Sequence, residues 1–174
     1  MQTTFPRLML DHAKQRPNAP ALREKVYGIW QTITWAELAQ LVRSFACGLA
    51  AAGVQRDDHL VVVGENRPRL YAALLAAQSL GAVPVPMYQD AAAPEYVFPI
   101  NNDDIGYATV EDQEQVDKLL ELREQCPRLK RIWFDDPRGL RNYDEPGLMA
   151  IEELVAAGKV YAQQHENFLQ AQIE

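Results

Sequence analysis

A short turn between an apolar run and a helical pattern is the first place in this sequence that could bind an anion. Residues 64–68 (GENRP) follow the apolar run 60–63 and carry a proline in the first helical turn. Backbone N–H groups and the helix dipole favour negative charge at such a position, so Asn66 and Arg67 are candidate anion-binding residues. In the alternative interpretation, Asn66 or Arg67 caps the helix and Glu65 is solvated. The turn matches neither GxGxxG nor GxxxxGK, so it does not identify a nucleotide site.

A second polar turn, made of Tyr88, Gln89 and Asp90, follows the apolar strand pattern at 82–86. Open α/β sheets place ligands at the carboxyl ends of their strands, so these three residues are candidates for contact with a substrate. The alternative is a polar connection between a strand and the next helix.

Metal and nucleophile chemistry is not predicted. Asp135 and Asp136 could form a metal pair, but the following Pro137 indicates a turn in which Asp side chains bond their own backbone. The three histidines are widely scattered, which argues against a metal site. The cysteines, Cys47 and Cys126, lack CxxC spacing, and Cys47 is expected to be a small core residue. The sequence therefore names no metal ligand, nucleophile or general base.

The composition is that of one globular domain. Of 174 residues, 48% are hydrophobic and 24% are charged, and the net charge is −7. This acidic balance, with Lys and Arg that look scattered along the chain, disfavours nucleic acid and anionic membranes as partners. No apolar run approaches the roughly 20 residues of a membrane span, and the first residues lack the features of a secretion signal. Together with the few cysteines, these features predict a cytoplasmic protein.

The elements that position these turns alternate between strands and helices. Strands are predicted at 21–25, 29–34, 60–63, 82–86, 105–110 and 132–134, and helices at 5–15, 34–52, 68–80, 94–101, 111–126, 150–157 and from 160 onward. Pro99 is expected to interrupt the fourth helix, and Gly158 to close the sixth. Strands 60–63 and 82–86 should be parallel neighbours that are buried on both faces. The pattern predicts an α/β fold with an open, mostly parallel sheet, helices on both faces and a small antiparallel hairpin near the start.

Six blocks of the sequence stand out by their order and spacing: residues 33–38 (ITWAEL), 45–49 (FACGL), 64–68 (GENRP), 76–90 (AAQSLGAVPVPMYQD), 110–118 (VEDQEQVDK) and 135–141 (DDPRGLR). Together they resemble the N-terminal region of adenylate-forming (AMP-binding) enzymes, and bacterial long-chain acyl-CoA synthetases in particular. The likeness covers about residues 5–158. The family's Ser/Thr/Gly-rich phosphate loop ending in lysine is absent from the chain.

The resemblance implies that a longer parent enzyme is an ATP-dependent long-chain fatty acid–CoA ligase. Such an enzyme forms an acyl-adenylate from ATP and the acid, and the thiol of coenzyme A then displaces AMP. The implied cofactors are ATP, Mg²⁺ and coenzyme A, the implied substrate partner is a fatty acid, and peripheral attachment to a membrane is compatible with the family. Tyr88, Gln89 and Asp90 would lie near the acyl and pantetheine side. Since the phosphate loop is missing, we expect this chain alone to be inactive and to bind none of the cofactors tightly.

Two other hypotheses remain open. One is a free-standing, non-catalytic α/β module that binds a partner protein, and the other is a flavodoxin-like binder of a small ligand. For the ligase hypothesis, residues 1–158 are the N-terminal α/β subdomain and residues 159–174 are a terminal helix leading to the remainder. One face of that helix lacks an obvious local partner, so we expect self-association through exposed apolar surface. Its residues are Val160, Tyr161, Gln164, Phe168 and Leu169.

Overall fold

The computed structural model describes residues 3–173, and it contains two sheets. The strands are β1 (Pro20–Val26), β2 (Ile29–Thr34), β3 (His59–Val63), β4 (Val83–Met87), β5 (Tyr107–Val110), β6 (Arg131–Phe134) and β7 (Leu148–Ala150). β1 and β2 form an antiparallel hairpin. The other strands form one parallel sheet in the order β4-β3-β5-β6-β7. Helices or long loops connect these parallel strands, as parallel pairing requires.

Helices cover both faces of the parallel sheet. They are α1 (Phe5–Gln15), α2 (Trp35–Ala51), α3 (Pro68–Leu80), α4 (Val97–Asn102), α5 (Gln113–Glu121), α6 (Ile151–Gln164) and α7 (Phe168–Ile173), with a 3₁₀ helix at Ala93–Tyr96. Leu60 and Val62 pack with α1, α2, α3, α6 and α7, whereas Val61 and Val63 pack with α4 and α5. Successive strand residues point to opposite faces, so β3 joins two cores. The predicted fold class, including the hairpin, is confirmed.

The start of α2 follows a local signal in the sequence. The Thr34 hydroxyl accepts the Glu37 N–H at 3.3 Å, and the Glu37 carboxylate accepts the Thr34 N–H at 2.8 Å. This reciprocal pair is a capping box. The carboxylate gains these hydrogen bonds, which lower the pKa of Glu37. The helix ends before Gly53, whose positive φ of 100° suits the turn that follows.

β4 corrects the expectation that both central strands are buried on both faces. The parallel pairing of β3 with β4 is confirmed, but β4 lies at the edge of the sheet, and Val83 and Pro86 are exposed. Pro84 and Pro86 have no N–H to donate, and proline within a sheet is confined to edge strands, strand starts or bulges. The two prolines were the signal that this apolar run is an edge.

The prediction that Gly158 closes a helix is wrong. α6 continues through Gly158, which is buried where α6 crosses α2. A Cβ at Gly158 would overlap the carbonyl oxygen of Ser44, and one at Gly48 would overlap the carbonyl oxygen of Leu154. The glycines therefore allow two helix backbones to approach, and the proposed boundary between residues 158 and 159 falls inside α6. The short strand β7 before this helix was not predicted.

Two further helix boundaries differ from the prediction. The break in 94–101 lies between the 3₁₀ helix and α4, so it precedes Pro99, which occupies the first turn of α4 and interrupts nothing there. The helix predicted to reach Cys126 ends at Glu121. Pro127 disfavours the helical conformation for the residue before it, which is consistent with the turns that replace the last predicted helical turn.

The helix predicted from residue 160 onward is divided between the end of α6 and α7, with a break at residues 165–167, and it has a local partner, contrary to prediction. Leu169 is buried in the core beside α3, and the ring of Phe168 meets that of Tyr161 edge-on at 5.3 Å. Arg56 donates to the carbonyl oxygen of Gln172 at 3.2 Å, which holds the end of α7 against the domain. Of the five residues of the predicted face, Val160 and Gln164 are exposed.

Candidate functional site

The strand order creates a crevice at the carboxyl edge of the sheet. The chain leaves β3 for β4 on one side, while β5 lies on the other side of β3. Ligands of open α/β sheets bind at such a reversal point. A cleft of about 300 Å³ opens there between the turn after β3 and the residues after β5 and β6. It leaves about 20 Å³ for the centre of a water molecule, so it has room for about one water.

Arg67 is already paired within this crevice. Its Nε lies 2.8 Å from a carboxylate oxygen of Glu111, and its terminal nitrogen lies 3.2 Å from Glu65. Glu111 also accepts the backbone N–H of Glu65 at 2.5 Å, which ties the two turns together. Desolvation acts to lower the pKa of Arg67, but the Glu111 and Glu65 carboxylates outweigh it and raise that pKa.

Neither candidate residue of this turn caps α3 with its side chain. Arg67 occupies the N-cap position, but no side-chain hydrogen bond is made to the first turn. The Asn66 side chain instead accepts the Tyr71 hydroxyl at 3.3 Å. Arg67 is therefore the N-cap residue, as the alternative interpretation expects, but it caps α3 without a side-chain hydrogen bond. Glu65 is exposed, with its carboxylate facing Arg67.

Asp135 is the most perturbed acid of the crevice. It follows β6 and lies 3.5 Å from Arg69, which also binds Glu152 at 2.7 Å. Burial raises the pKa of Asp135 to about 6. Arg69 acts to lower this pKa but is outweighed, and the Glu152 and Glu111 carboxylates raise it further. A carboxyl group with a raised pKa in a cleft is a candidate for a functional role.

Asp136 behaves as the sequence predicted. Its carboxylate accepts the backbone N–H of Arg138 at 3.0 Å and also pairs with the Arg138 guanidinium. These hydrogen bonds lower the pKa of Asp136. Asp135 faces Arg69 and Asp136 faces Arg138, so each carboxylate has its own arginine partner. Within residues 3–173, no group of three His, Cys, Asp or Glu side chains is placed to hold a metal ion.

The charges of the crevice do not fit a triphosphate. Two arginines, Arg67 and Arg69, face the carboxylates of Glu65, Glu111, Asp135 and Glu152. This excess of negative charge repels phosphate, and the cleft is far too small for a nucleotide. The described residues of this edge therefore do not fit ATP, and they offer no cluster for Mg²⁺.

The turn Tyr88–Asp90 is held by its backbone. The Tyr96 hydroxyl donates to the carbonyl oxygen of Tyr88 at 2.7 Å, and Lys118 Nζ donates to that of Gln89 at 2.5 Å. The Tyr88 side chain is 80% exposed, and Asp90 is exposed as well. The turn is thus fixed at the end of β4 with two of its side chains directed to solvent.

Sequence reasoning found the two turns but missed the residues that hold them. The turns follow adjacent strands, because Val63 pairs with Met87 in the sheet. Glu111 and Asp135 each come directly after a strand, so they meet at the same edge as the turns. That position after an apolar run was the available signal. Lys118 forms the predicted ion pair with Glu114 at 2.8 Å, but its contact with Gln89 joins distant segments.

The two cysteines are inert packing residues. Cys47 and Cys126 are buried and free, and burial raises the pKa of both thiols. A thiol in such surroundings is a poor nucleophile. Among residues 3–173, no helix combines the length and apolar character that a membrane span requires.

These features define an open parallel α/β protein with polar turns at the carboxyl edge of its sheet. Residues 9–157 match the AMP-binding enzyme family, and the chain belongs to that family. A long-chain-fatty-acid–CoA ligase of Mycobacterium tuberculosis, FadD15, is 25% identical over 125 residues, which are 72% of this chain and 21% of that ligase. An uncharacterised protein of the same species is 34% identical over 103 residues, which are 59% of this chain and 57% of the relative.

Solved structures share the fold. Acetoacetyl-CoA synthetase from Streptomyces lividans superposes with a TM-score of 0.76 at 26% identity, over 87% of this chain and 24% of that protein. A carboxylic acid reductase didomain from Segniliparus rugosus, in complex with AMP, superposes with a TM-score of 0.78 at 16% identity, over 91% of this chain and 27% of that protein. The resemblance to adenylate-forming enzymes is confirmed, and the chain spans about a fifth of FadD15.

Proposed function

We propose that this chain is the N-terminal segment of an AMP-forming acid–CoA ligase that acts on long-chain fatty acids. The observation that carries the proposal is the family match over residues 9–157. The likeness to FadD15 and to other long-chain ligases at about 25% identity favours a long-chain acid over a short one. The parent would be cytoplasmic or would attach peripherally to a membrane.

In this proposal, ATP, Mg²⁺ and coenzyme A are held mainly by residues outside the chain. When bound in the parent, ATP supplies the adenylate that activates the acid for the thiol of coenzyme A. Tyr88, Gln89 and Asp90 face the acyl and pantetheine side, and Tyr96 and Lys118 hold that turn in place. Asn66 and Arg67 would meet an anion only if Arg67 exchanged Glu65 or Glu111 for it.

The chain alone is proposed to be inactive. Adenylation needs donors arranged around the phosphates and a metal between them. The crevice of residues 3–173 offers two arginines that are already paired with carboxylates. The sequence-based division gives residues 1–158 to the α/β subdomain of the parent and lets residues 159–174 lead to its remainder. Since α6 crosses that boundary and α7 packs on the same core, we propose that the subdomain extends through α7.

Self-association of the isolated chain remains part of this proposal, but the exposed apolar surface that supports it lies at the β1–β2 hairpin and not on the terminal helix. Leu169 is buried, but Tyr27, Ile29 and Trp30 at the β1–β2 hairpin are 93%, 65% and 64% exposed. Exposed apolar surface of this kind favours association. Light scattering over a range of concentrations tests it, and a monomer throughout that range would contradict it.

A free-standing, non-catalytic module that binds a partner protein is the second candidate. The observation in its favour is the uncharacterised M. tuberculosis relative. The aligned part makes up 59% of this chain and 57% of that protein, so the two sequences are of nearly equal length. A family member of this size would need a role other than complete adenylation.

Sequencing the gene beyond the codon for Glu174, followed by an assay of the whole product, separates the two candidates. The ligase proposal expects the frame to continue into a Ser/Thr/Gly-rich loop ending in lysine. It also expects the product to form acyl-CoA from a long-chain acid, ATP and coenzyme A. A stop codon after Glu174 and an inactive product would overturn it and favour the module.

A further inference from the structure

Three basic residues lie within four positions at the start of β6. They are Arg128, Lys130 and Arg131. Leu129 and Ile132 are buried at 6% and 2% exposure, and this anchoring directs the three basic side chains outward. The expectation that Lys and Arg are scattered is therefore wrong for this segment.

The three residues line a pocket at the amino edge of the sheet, opposite the crevice described above. It leaves about 420 Å³ for the centre of a water molecule, against about 20 Å³ in the crevice. We call it the amino-edge pocket, and it is also lined by Asp58, His59, Asp104, Gly106, Tyr107 and Pro127. Its volume lies in the range of small-molecule sites, roughly 300–1,000 Å³.

Two of the three cations lack a carboxylate partner. Arg128 pairs with Asp104 at 3.1 Å, whereas no ion pair within residues 3–173 involves Lys130 or Arg131. Asp58 accepts the backbone N–H of Gln55 at 2.7 Å, which leaves its charge in place. Three cations against two carboxylates give a local excess of positive charge in a chain whose net charge is −7. This is the opposite sign to the carboxyl-edge crevice.

The backbone that carries these cations is fixed. The N–H groups of Lys130 and Arg131 both donate to the carbonyl oxygen of Gly106, at 3.0 Å and 3.3 Å. Tyr107, which follows Gly106, stacks on Trp133 of β6 with ring centroids 5.9 Å apart. The side chains of Lys130 and Arg131 therefore extend from a defined strand start, so a ligand has to order their rotamers but not this backbone.

We propose that the amino-edge pocket binds a phosphate group, with Lys130 and Arg131 as its principal contacts and Arg128 as a third. Arginine matches two phosphate oxygens with its planar fork, and lysine adds a compact positive charge. Lys130 and Arg131 both line the pocket, and a phosphate dianion matches their two positive charges better than a monocarboxylate does. The proposal is independent of the ligase function, since this pocket lies at the edge away from the polar turns.

Titration of the 174-residue chain with inorganic phosphate and pyrophosphate, followed by backbone amide NMR, tests the proposal. We expect saturable shifts at residues 128–131 that sodium chloride at equal ionic strength does not produce. The double variant Lys130→Gln/Arg131→Gln should weaken binding at least tenfold. The control Arg141→Gln/Lys159→Gln removes the same charge from exposed positions elsewhere and should bind as the unmodified chain does.

A second experiment with vesicles distinguishes a lipid phosphate from free phosphate. Vesicles of phosphatidylcholine with phosphatidic acid are compared with phosphatidylcholine alone. Two results support the site: binding of free phosphate, or binding of vesicles that contain phosphatidic acid but not of phosphatidylcholine vesicles. In either case the Lys130→Gln/Arg131→Gln variant has to lose the binding. Equal weakening in both double variants would show a net-charge effect and overturn the proposal, as would shifts that do not saturate.

Discussion

Arg69 of α3 lies 3.5 Å from Asp135, the first residue after β6, and 2.7 Å from Glu152 in the first turn of α6. One guanidinium thus links three segments at the carboxyl edge of the sheet. Arg67 links two segments, the turn after β3 and Glu111 after β5. These links keep the crevice narrow, and they occupy the cations that an anionic ligand would need.

The stability of the chain should depend on the ionisation of Asp135. Its pKa is raised to about 6 in the folded state, from 3.8 without burial. Between these values the folded state holds a proton that the unfolded state has lost, so the free energy of unfolding falls as pH rises towards 6. Asp135→Asn removes this dependence.

We compare the free energy of unfolding of Asp135→Asn with that of the unmodified chain. The difference, variant minus unmodified chain, should increase by about 2 kcal/mol between pH 4 and pH 7. Urea denaturation at each pH measures it. The control Asp144→Asn changes an exposed loop residue and should follow the unmodified chain. Parallel pH profiles for Asp135→Asn and the unmodified chain would contradict the buried-acid account.

Gly158→Ala should destabilise the fold. The new Cβ would overlap the carbonyl oxygen of Ser44 in α2, and the backbone of one helix has to move. Overpacking of this kind costs about 1–3 kcal/mol. Gly106→Ala is the matched control, because its Cβ would lie an ordinary 3.5 Å from the Arg128 carbonyl oxygen. Equal melting temperatures for the two variants would refute the close helix crossing.

Tyr96→Phe should loosen the turn that carries Tyr88, Gln89 and Asp90. The variant removes the hydroxyl that donates to the Tyr88 carbonyl oxygen at 2.7 Å. A hydrogen bond of this kind contributes about 1 kcal/mol. We expect amide hydrogen exchange in residues 88–92 to become several-fold faster, while exchange in 60–63 is unchanged. Tyr27→Phe, at a position 93% exposed, is the control, and equal exchange in both variants would contradict the anchoring role.

Much of the fold could be predicted because its signals are local. Thr34 and Glu37 form the predicted capping box, and the buried run of β3 predicts a central strand. The errors involve contacts between distant segments. Gly158 has the local pattern of a helix end, but its neighbour across the α2–α6 crossing decides its role.

The sequence predicts where the candidate site lies better than it predicts which charges neutralise each other there. The edge of the sheet follows from the ends of apolar runs, which locates Arg67 and Tyr88. Of the two partners of Arg67, Glu65 is close in sequence, but Glu111 comes from a loop more than forty residues away, so no spacing in the sequence indicates that Glu111 also pairs with it. The same limit hid the charge excess at Lys130 and Arg131, since Asp104 and Asp58 belong to other segments.

ATP–pyrophosphate exchange by the isolated 174-residue chain tests the central claim most directly. Fatty acids of varied chain length are supplied with ATP and Mg²⁺, and FadD15 of M. tuberculosis serves as the positive control. The described crevice is small and carries more carboxylates than arginines, so we predict no exchange above background by this chain with any acid. Exchange that depends on both the chain and a fatty acid would contradict the account, because it would require a complete adenylation site within these residues.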